Sequence, residues 1–171
     1  MTRSGRVVIA STRAAAGVYE DRCGPIIVDW LNGQGITTPA PVVVADGSGV
    51  VEALFAAIGE NVDVIITSGG TGISPTDGTA DATADIVDYQ IPGLADAIRR
   101  SGLPHVPTSV LSRGVCGVRG RTLIVNLPGR PKAIRENLES VFPAIPYCID
   151  LIGGPRLDAN EATIRVFRPK A

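Results

Sequence analysis

Three short β-branched runs, Arg6 to Ser11, Pro41 to Ala45 and Val62 to Thr67, are separated by stretches with helical spacing, and none of the three alternates cleanly between apolar and polar residues. A strand covered on one face alternates; a strand covered on both does not. That single feature constrains the chain most. It requires helices on both sides of a sheet, and the βαβαβ order with short connections makes the strands parallel. The intervening helices are legible as well. Glu20 to Gln34 places Ile26, Ile27, Trp30 and Leu31 at helical spacing and stops at Gly33 and Gly35. Ser48 is positioned to cap a helix running through Ile58, with Val50, Val51, Leu54, Phe55 and Ile58 on one stripe. Trp30 and Phe55, each on such a stripe, read as core.

The second half continues the theme. Thr79 to Tyr89 reads as helix, Pro92-Gly93 punctuates, and Leu94 to Arg100 reads as a further helix. Gly102, Pro104 and Pro107 form a loop. Two short strands are expected near Gly114 to Val118 and Arg121 to Val125, then a sharp Asn126-Leu127-Pro128-Gly129 turn. Pro131 suits the first turn of a helix to about Phe142, and a last helix covers Pro146 to Leu151. The tail after Gly154 looks extended. No repeat, linker or low-complexity tract divides the 171 residues. The expectation is one α/β domain, a doubly wound, mostly parallel sheet with helices on both faces.

Composition excludes several classes. A formal net charge of -1 gives no broad nucleic-acid surface. No apolar run approaches the about 20 residues that span a bilayer, and the run after Arg6 is too short for a signal-peptide core. Cys23, Cys116 and Cys148 are scattered without CxxC spacing, which fits reduced thiols of a cytoplasmic protein and no zinc site or disulfide frame. His105 stands alone between prolines, and no serine–histidine–aspartate order suggests a hydrolytic triad.

Ligands of open α/β sheets bind beyond the carboxyl ends of the strands. After the first strand come Thr12, Arg13 and Gly17; after the second, Asp46; after the third, Ser68-Gly69-Gly70-Thr71-Gly72 and then Ser74-Pro75-Thr76-Asp77; after the late strand, Asn126 to Gly129. The glycine-rich turn suits phosphate, because glycines let successive N–H groups face one concavity. It is neither GxGxxG nor a Walker A loop. Asp46 and Asp77 at neighbouring strand ends are a candidate Mg²⁺ pair; each is also placed to cap the helix that follows. Asn126 can offer donor and acceptor to a heterocycle. Lys132, near a helix start, is placed to meet a phosphate, or simply to lie exposed beyond a turn. Arg113, Arg119 and Arg121 are candidate anion ligands or a solvated face.

The blocks TSGGTGISPTDGTADAT, IPGLADAIR, LSRGVCGVRGRTLIVNLPGRPKAI and IPYCIDLIGGP resemble the MogA/MoaB family of molybdopterin-binding proteins, whose fold recurs in plant and animal (gephyrin) G domains. The resemblance covers about residues 5 to 155. It implies transfer of AMP from ATP to molybdopterin, a Mg²⁺ requirement, a homotrimer and a molybdenum insertase as partner. Asp46 and Asp77 match the family's two functionally important acids, Gly69, Gly70, Thr71 and Gly72 its nucleotide and pterin-phosphate loop, and Asn126, Leu127, Pro128 and Gly129 a second binding loop; alongside this we assign Asp46 and Asp77 to catalysis and metal, and Ser68, Ser112, Arg113 and Lys132 to ligand binding. The chain departs from the pattern at Thr12, where Asp is common, and at Cys116, where a smaller residue is usual. Its short stretch before Pro146 is MoaB-like. A non-catalytic trimeric pterin carrier is the rival expectation, and a nucleotide-pyrophosphate hydrolase of similar fold a weaker one.

Overall fold

The structure, a computed structural model, describes residues 2–153; the tail expected to be extended lies outside them. The elements in chain order are β1 (Arg3–Ala10), α1 (Thr12–Ala15), α2 (Cys23–Gly33), β2 (Ile36–Thr37), β3 (Val42–Val44), α3 (Ser48–Gly59), β4 (Val64–Ser68), α4 (Thr79–Ile86), β5 (Tyr89–Gln90), α5 (Pro92–Gly102), β6 (Cys116–Arg119), β7 (Thr122–Leu127), α6 (Pro131–Ser140) and α7 (Ile145–Gly153). Two 3₁₀ turns, Pro107–Leu111 and Phe142–Ala144, join them.

The strands form one sheet in the order β2-β1-β4-β7-β6-β5, with β3 beside the second half of β1. β1, β2, β3, β4 and β7 run parallel, while β6 and β5 add an antiparallel edge. Side-chain parity explains why the strands do not alternate in polarity. Val7 and Ile9 of β1, Val64 and Ile66 of β4, and Leu123 and Val125 of β7 point to one face, with Ile27, Leu31 and Ile134 of the helices. Their neighbours Val8, Ile65 and Ile124 point to the other, against Val50, Leu54 and Ala57 of α3. Each such side chain contributes about 1.5–3 kcal/mol when fully buried. At the far end of the sheet Arg3 donates to Asp150 of α7 at 2.6 and 3.0 Å, a buried pair tying the first strand to the last helix.

Several expectations need correction. The helix from Thr79 ends at Ile86, because Val87 turns extended (ψ 145°) and Tyr89–Gln90 pairs with β6. Gly117 makes that pairing possible: a Cβ there would lie 2.7 Å from the Tyr89 carbonyl. Ser48 caps nothing; it is the first residue of α3, which follows Gly47 at φ 96° without a side-chain cap. Phe55 is not core but 53% exposed, whereas Trp30 packs edge-on to Phe142 at 5.4 Å. The loop through Pro107 contains a 3₁₀ turn, and α1, β2 and β5 are additional elements.

Candidate functional site

The chain leaves β1 toward β2 and β3 on one side and leaves β4 toward β7 on the other, so the crevice of a doubly wound sheet opens at the carboxyl ends of β1 and β4. Ser11, Thr12 and the glycine turn lie there. Gly69 and Gly70 have φ of 93° and 65°, which side-chain-bearing residues adopt only with strain. A Cβ on Gly69 would sit 2.2 Å from the Ala10 carbonyl, so only glycine lets β4 turn this close to the end of β1.

The turn is stitched to the late strand. Ser68 donates its hydroxyl to the Pro128 carbonyl (2.9 Å), and the Gly69 N–H donates to the Leu127 carbonyl (3.1 Å). Gly129 backs onto Gly69, where a Cβ would be 3.3 Å from the Gly69 Cα. The expected five-residue cradle is therefore shorter: of its N–H groups, only those of Gly70, Thr71 and Gly72 make no bond among the described residues.

Both acids meet this turn, and neither caps the helix that follows it. Asp46 Oδ2 accepts from the Thr12 N–H (3.1 Å) and hydroxyl (2.8 Å), while the Asp46 N–H donates back to that hydroxyl. Its other oxygen, Oδ1, accepts nothing among the described residues and lies 3.3 Å from where Gly70 would carry a Cβ. Asp77 Oδ2 accepts from the Ser74 N–H (3.0 Å) and lies 2.7 Å from the corresponding point on Gly72. Each carboxylate thus spends one oxygen, Asp46 on the start of α1 and Asp77 on its own loop, and keeps one. Beside Gly70, the hydroxyl of Thr79 is shielded from solvent with no partner among the described residues. Thr79 was not singled out from the sequence; its place two residues after Asp77 was the only signal.

Several other expected ligand residues turn out to be committed to the fold. Asn126 is 2% exposed: its Oδ1 accepts from the Val115 N–H, and its Nδ2 donates to Thr67 and Thr83. Leu127 points into the core with Val125. Neither residue borders a cavity at the turn, whereas Pro128 and Gly129, which follow them, do. Arg113 is a strut, donating to the carbonyls of Gly72 and Asp77 and, in a fork, to Asp81 at 2.9 and 3.1 Å. The Asp81 carboxylate, above all, raises the Arg113 pKa, so the strut stays charged. Arg119 pairs with Asp88 and Arg121 with the Gly153 carbonyl. The Ser112 hydroxyl accepts from the Gly114 N–H at the cavity wall, and Lys132 lies exposed in the first turn of α6.

Two cavities flank the turn and share Gly129. One, about 460 Å³, is bordered by Ser11, Tyr19, Asp21, Cys23 and Gly69. The other, about 390 Å³, runs from Thr71, Gly72 and Lys132 between α5 and α6. The cysteines are not equipped as nucleophiles: burial raises the Cys23 pKa and pushes that of Cys116 up to about 12. Among the described residues no three His, Cys, Asp or Glu side chains converge to hold a metal by themselves, and no helix is long and apolar enough to cross a membrane.

These features define an α/β protein with a glycine turn of unbonded N–H groups between two cavities at its strand ends. The family described as "Probable molybdopterin binding domain" matches residues 6–147. A molybdopterin adenylyltransferase of Helicobacter pylori (strain J99 / ATCC 700824) is 43% identical over 96% of both chains. Among solved structures, the molybdopterin biosynthesis Mog protein of Mycobacterium ulcerans superimposes with a TM-score of 0.84 at 59% identity, covering 88% of this chain and 99% of that one. The molybdopterin biosynthesis enzyme MoaB of Thermus thermophilus gives 0.81 at 41%, covering 91% and 99%. The chain belongs to the MogA/MoaB family of molybdopterin-binding proteins. By identity it lies nearer this Mog structure than this MoaB structure, although its short stretch before Pro146 suggested MoaB.

Proposed function

We propose that the chain is a molybdopterin adenylyltransferase. An oxygen of the molybdopterin phosphate attacks the α-phosphorus of ATP, a new P–O bond forms, the bond to the β-phosphate oxygen breaks, and pyrophosphate leaves. The observation that carries this reading is the pair of half-used carboxylates, Asp46 and Asp77, on one glycine turn between two cavities. A carrier of one pterin phosphate would gain nothing from two acids beside its anion site, since like charges repel at short range.

The residues do the following. The N–H groups of Gly70 to Gly72 bind phosphate oxygens. The cavity beside Lys132 takes the pterin, with Lys132 and the start of α6 facing its phosphate. The cavity beside Ser11 takes the nucleotide. Holding two anions in line is the main catalytic task, and positioning with charge compensation supplies most of the rate. The spare oxygens of Asp46 and Asp77 are hard donors of the kind Mg²⁺ prefers, and with only two carboxylates present the remaining ligands would be phosphate oxygens and water. Bound there, Mg²⁺ would neutralise charge on the triphosphate. Thr12 keeps Asp46 aimed without adding charge, so the departure from Asp at that position leaves Asp46 as the acid on this side of the turn. This reading places the protein in the cytoplasm, upstream of a molybdenum insertase that takes the adenylylated product.

The direct test mixes the protein with molybdopterin and MgATP. Pyrophosphate is expected in step with adenylylated molybdopterin. No pyrophosphate would turn the reading to a carrier; pyrophosphate without molybdopterin would turn it to a hydrolase. Gly70→Val should weaken both ligands by calorimetry, because a Cβ would enter the Thr79 hydroxyl at 2.2 Å from a backbone with φ of 65°; undiminished affinity for both would move the anion site elsewhere. For assembly, Phe55 and Ile73, 53% and 66% exposed, are large apolar side chains that a homotrimer would cover. Light scattering should give about three times the 17.7 kDa chain mass, and a monomer would remove the trimer.

A further inference from the structure

Lys132, Ala133, Glu136 and Asn137 all line the cavity beside α6. Their spacing puts two pairs one helical turn apart on a single face. Across the cavity stand the apolar side chains of Ile98, Val106 and Leu111. Most polar groups along this wall are already in use. Asn137 donates to the Ala133 carbonyl and accepts from the Ser101 hydroxyl. Arg99 donates to the carbonyls of Ser112 and Gly114 at 3.4 and 3.1 Å.

Glu136 differs. Its Oε1 is shielded from solvent and accepts no hydrogen bond among the described residues. Its ion-pair partner there is His105, whose Nε2 is 3.5 Å away, beyond the usual hydrogen-bond range. The side chain as a whole is 20% exposed, at the cavity wall. A nearly dry carboxylate oxygen without a donor is costly unless a ligand supplies one.

We propose that Glu136 determines the specificity of this cavity by accepting from two adjacent N–H donors of a 2-amino-4-oxopyrimidine ring. The inference rests on the reading that this cavity takes the pterin. A carboxylate only accepts hydrogen bonds. The pyrimidine edge of a pterin offers two neighbouring donors, the N3–H and the 2-amino group, matched to the two oxygens of a carboxylate in the manner of a fork. Adenine offers one donor beside one acceptor on the comparable edge, and its acceptor would face an oxygen. The cavity is therefore polar in the order its ligand requires: cation and helix start at the phosphate end, apolar walls along the flat ring, and an acceptor one turn on, about 6 Å along α6.

The test compares pterin with lumazine, in which a carbonyl replaces the 2-amino group, by fluorescence titration of the full-length protein. Wild type should bind pterin about 10- to 100-fold more tightly, because a carbonyl would face the carboxylate. Glu136→Gln keeps the shape, removes the charge and puts an amide donor in place of one acceptor; it should bring the ratio near unity while leaving ATP affinity unchanged. His105→Ala, which removes the ion-pair partner but leaves the carboxylate, should retain the preference. Equal affinities for the two rings in wild type, no pterin binding in wild type at millimolar concentration, an undiminished preference in Glu136→Gln, or loss of it in His105→Ala would each overturn the proposal. The wild-type ratio needs no variant to fold. The pyrophosphate assay on the same protein separates the two ideas: turnover without ring discrimination sinks only the role of Glu136, and discrimination without turnover sinks only the adenylyl transfer.

Discussion

Asp46→Asn should lower pyrophosphate release by about 10²-fold or more while molybdopterin still binds. The substitution is nearly isosteric, and an amide oxygen at the Oδ2 position can still accept from the Thr12 N–H and hydroxyl, so the loop that carries it has reason to stay in place. What disappears is the charge on the oxygen beside Gly70. Because Asp46 does not cap α3, loss of turnover cannot be attributed to an unravelled start of α3. Pyrophosphate release and molybdopterin affinity, measured on one preparation with its melting temperature, decide the matter. An unchanged rate would show that Asp46 only secures the start of α1 and that the metal, if one is used, is held elsewhere.

Asp150→Ala should destabilise the protein by about 3–5 kcal/mol, because it strands the Arg3 guanidinium in a site where both side chains are at most 9% exposed. For a domain of this size that corresponds to a fall in melting temperature of roughly 10 °C or more. Arg3→Met combined with Asp150→Leu should recover much of the loss, since two apolar groups of similar volume leave no charge unpaired. Activity well below the transition should not change. Arg3 opens β1, and the glycine turn lies beyond its other end, roughly 25 Å away for eight strand residues. Thermal unfolding of the single and double variants is the measurement; a double variant as unstable as Asp150→Ala would mean that the cavity left by the pair, rather than its charge, sets the cost.

The residues at the strand ends were legible because their chemistry is local. Glycines in Ser68 to Gly72, acids after β3 and β4, and a proline opening α6 each state their role without reference to distant parts of the chain. Arg113 and Asn126 were not legible in the same way. An arginine looks the same in sequence whether it meets solvent, a bound anion or two carbonyls and a carboxylate of its own chain, and only the fold brings Gly72, Asp77 and Asp81 to Arg113. Asn126 read as a ring-binding amide because it begins a turn, yet its position on β7 points it down into Thr67 and Thr83.

By itself, the sequence determined the layered α/β architecture, since unbroken apolar strands separated by helical stripes can be buried only between two helical layers. It also determined where ligands would gather, because glycines, hydroxyls and acids recur after the strands. Tertiary structure decided which of those groups remain available. Pairing across the sheet consumed the Ser68 hydroxyl, the Gly69 N–H and the Asn126 amide, and left the Gly70 to Gly72 amides, one oxygen each of Asp46 and Asp77, and the Glu136 carboxylate unspent. The Ser68 hydroxyl and the Asn126 amide nitrogen find their partners 43 to 60 residues away, and no local pattern encodes such a match.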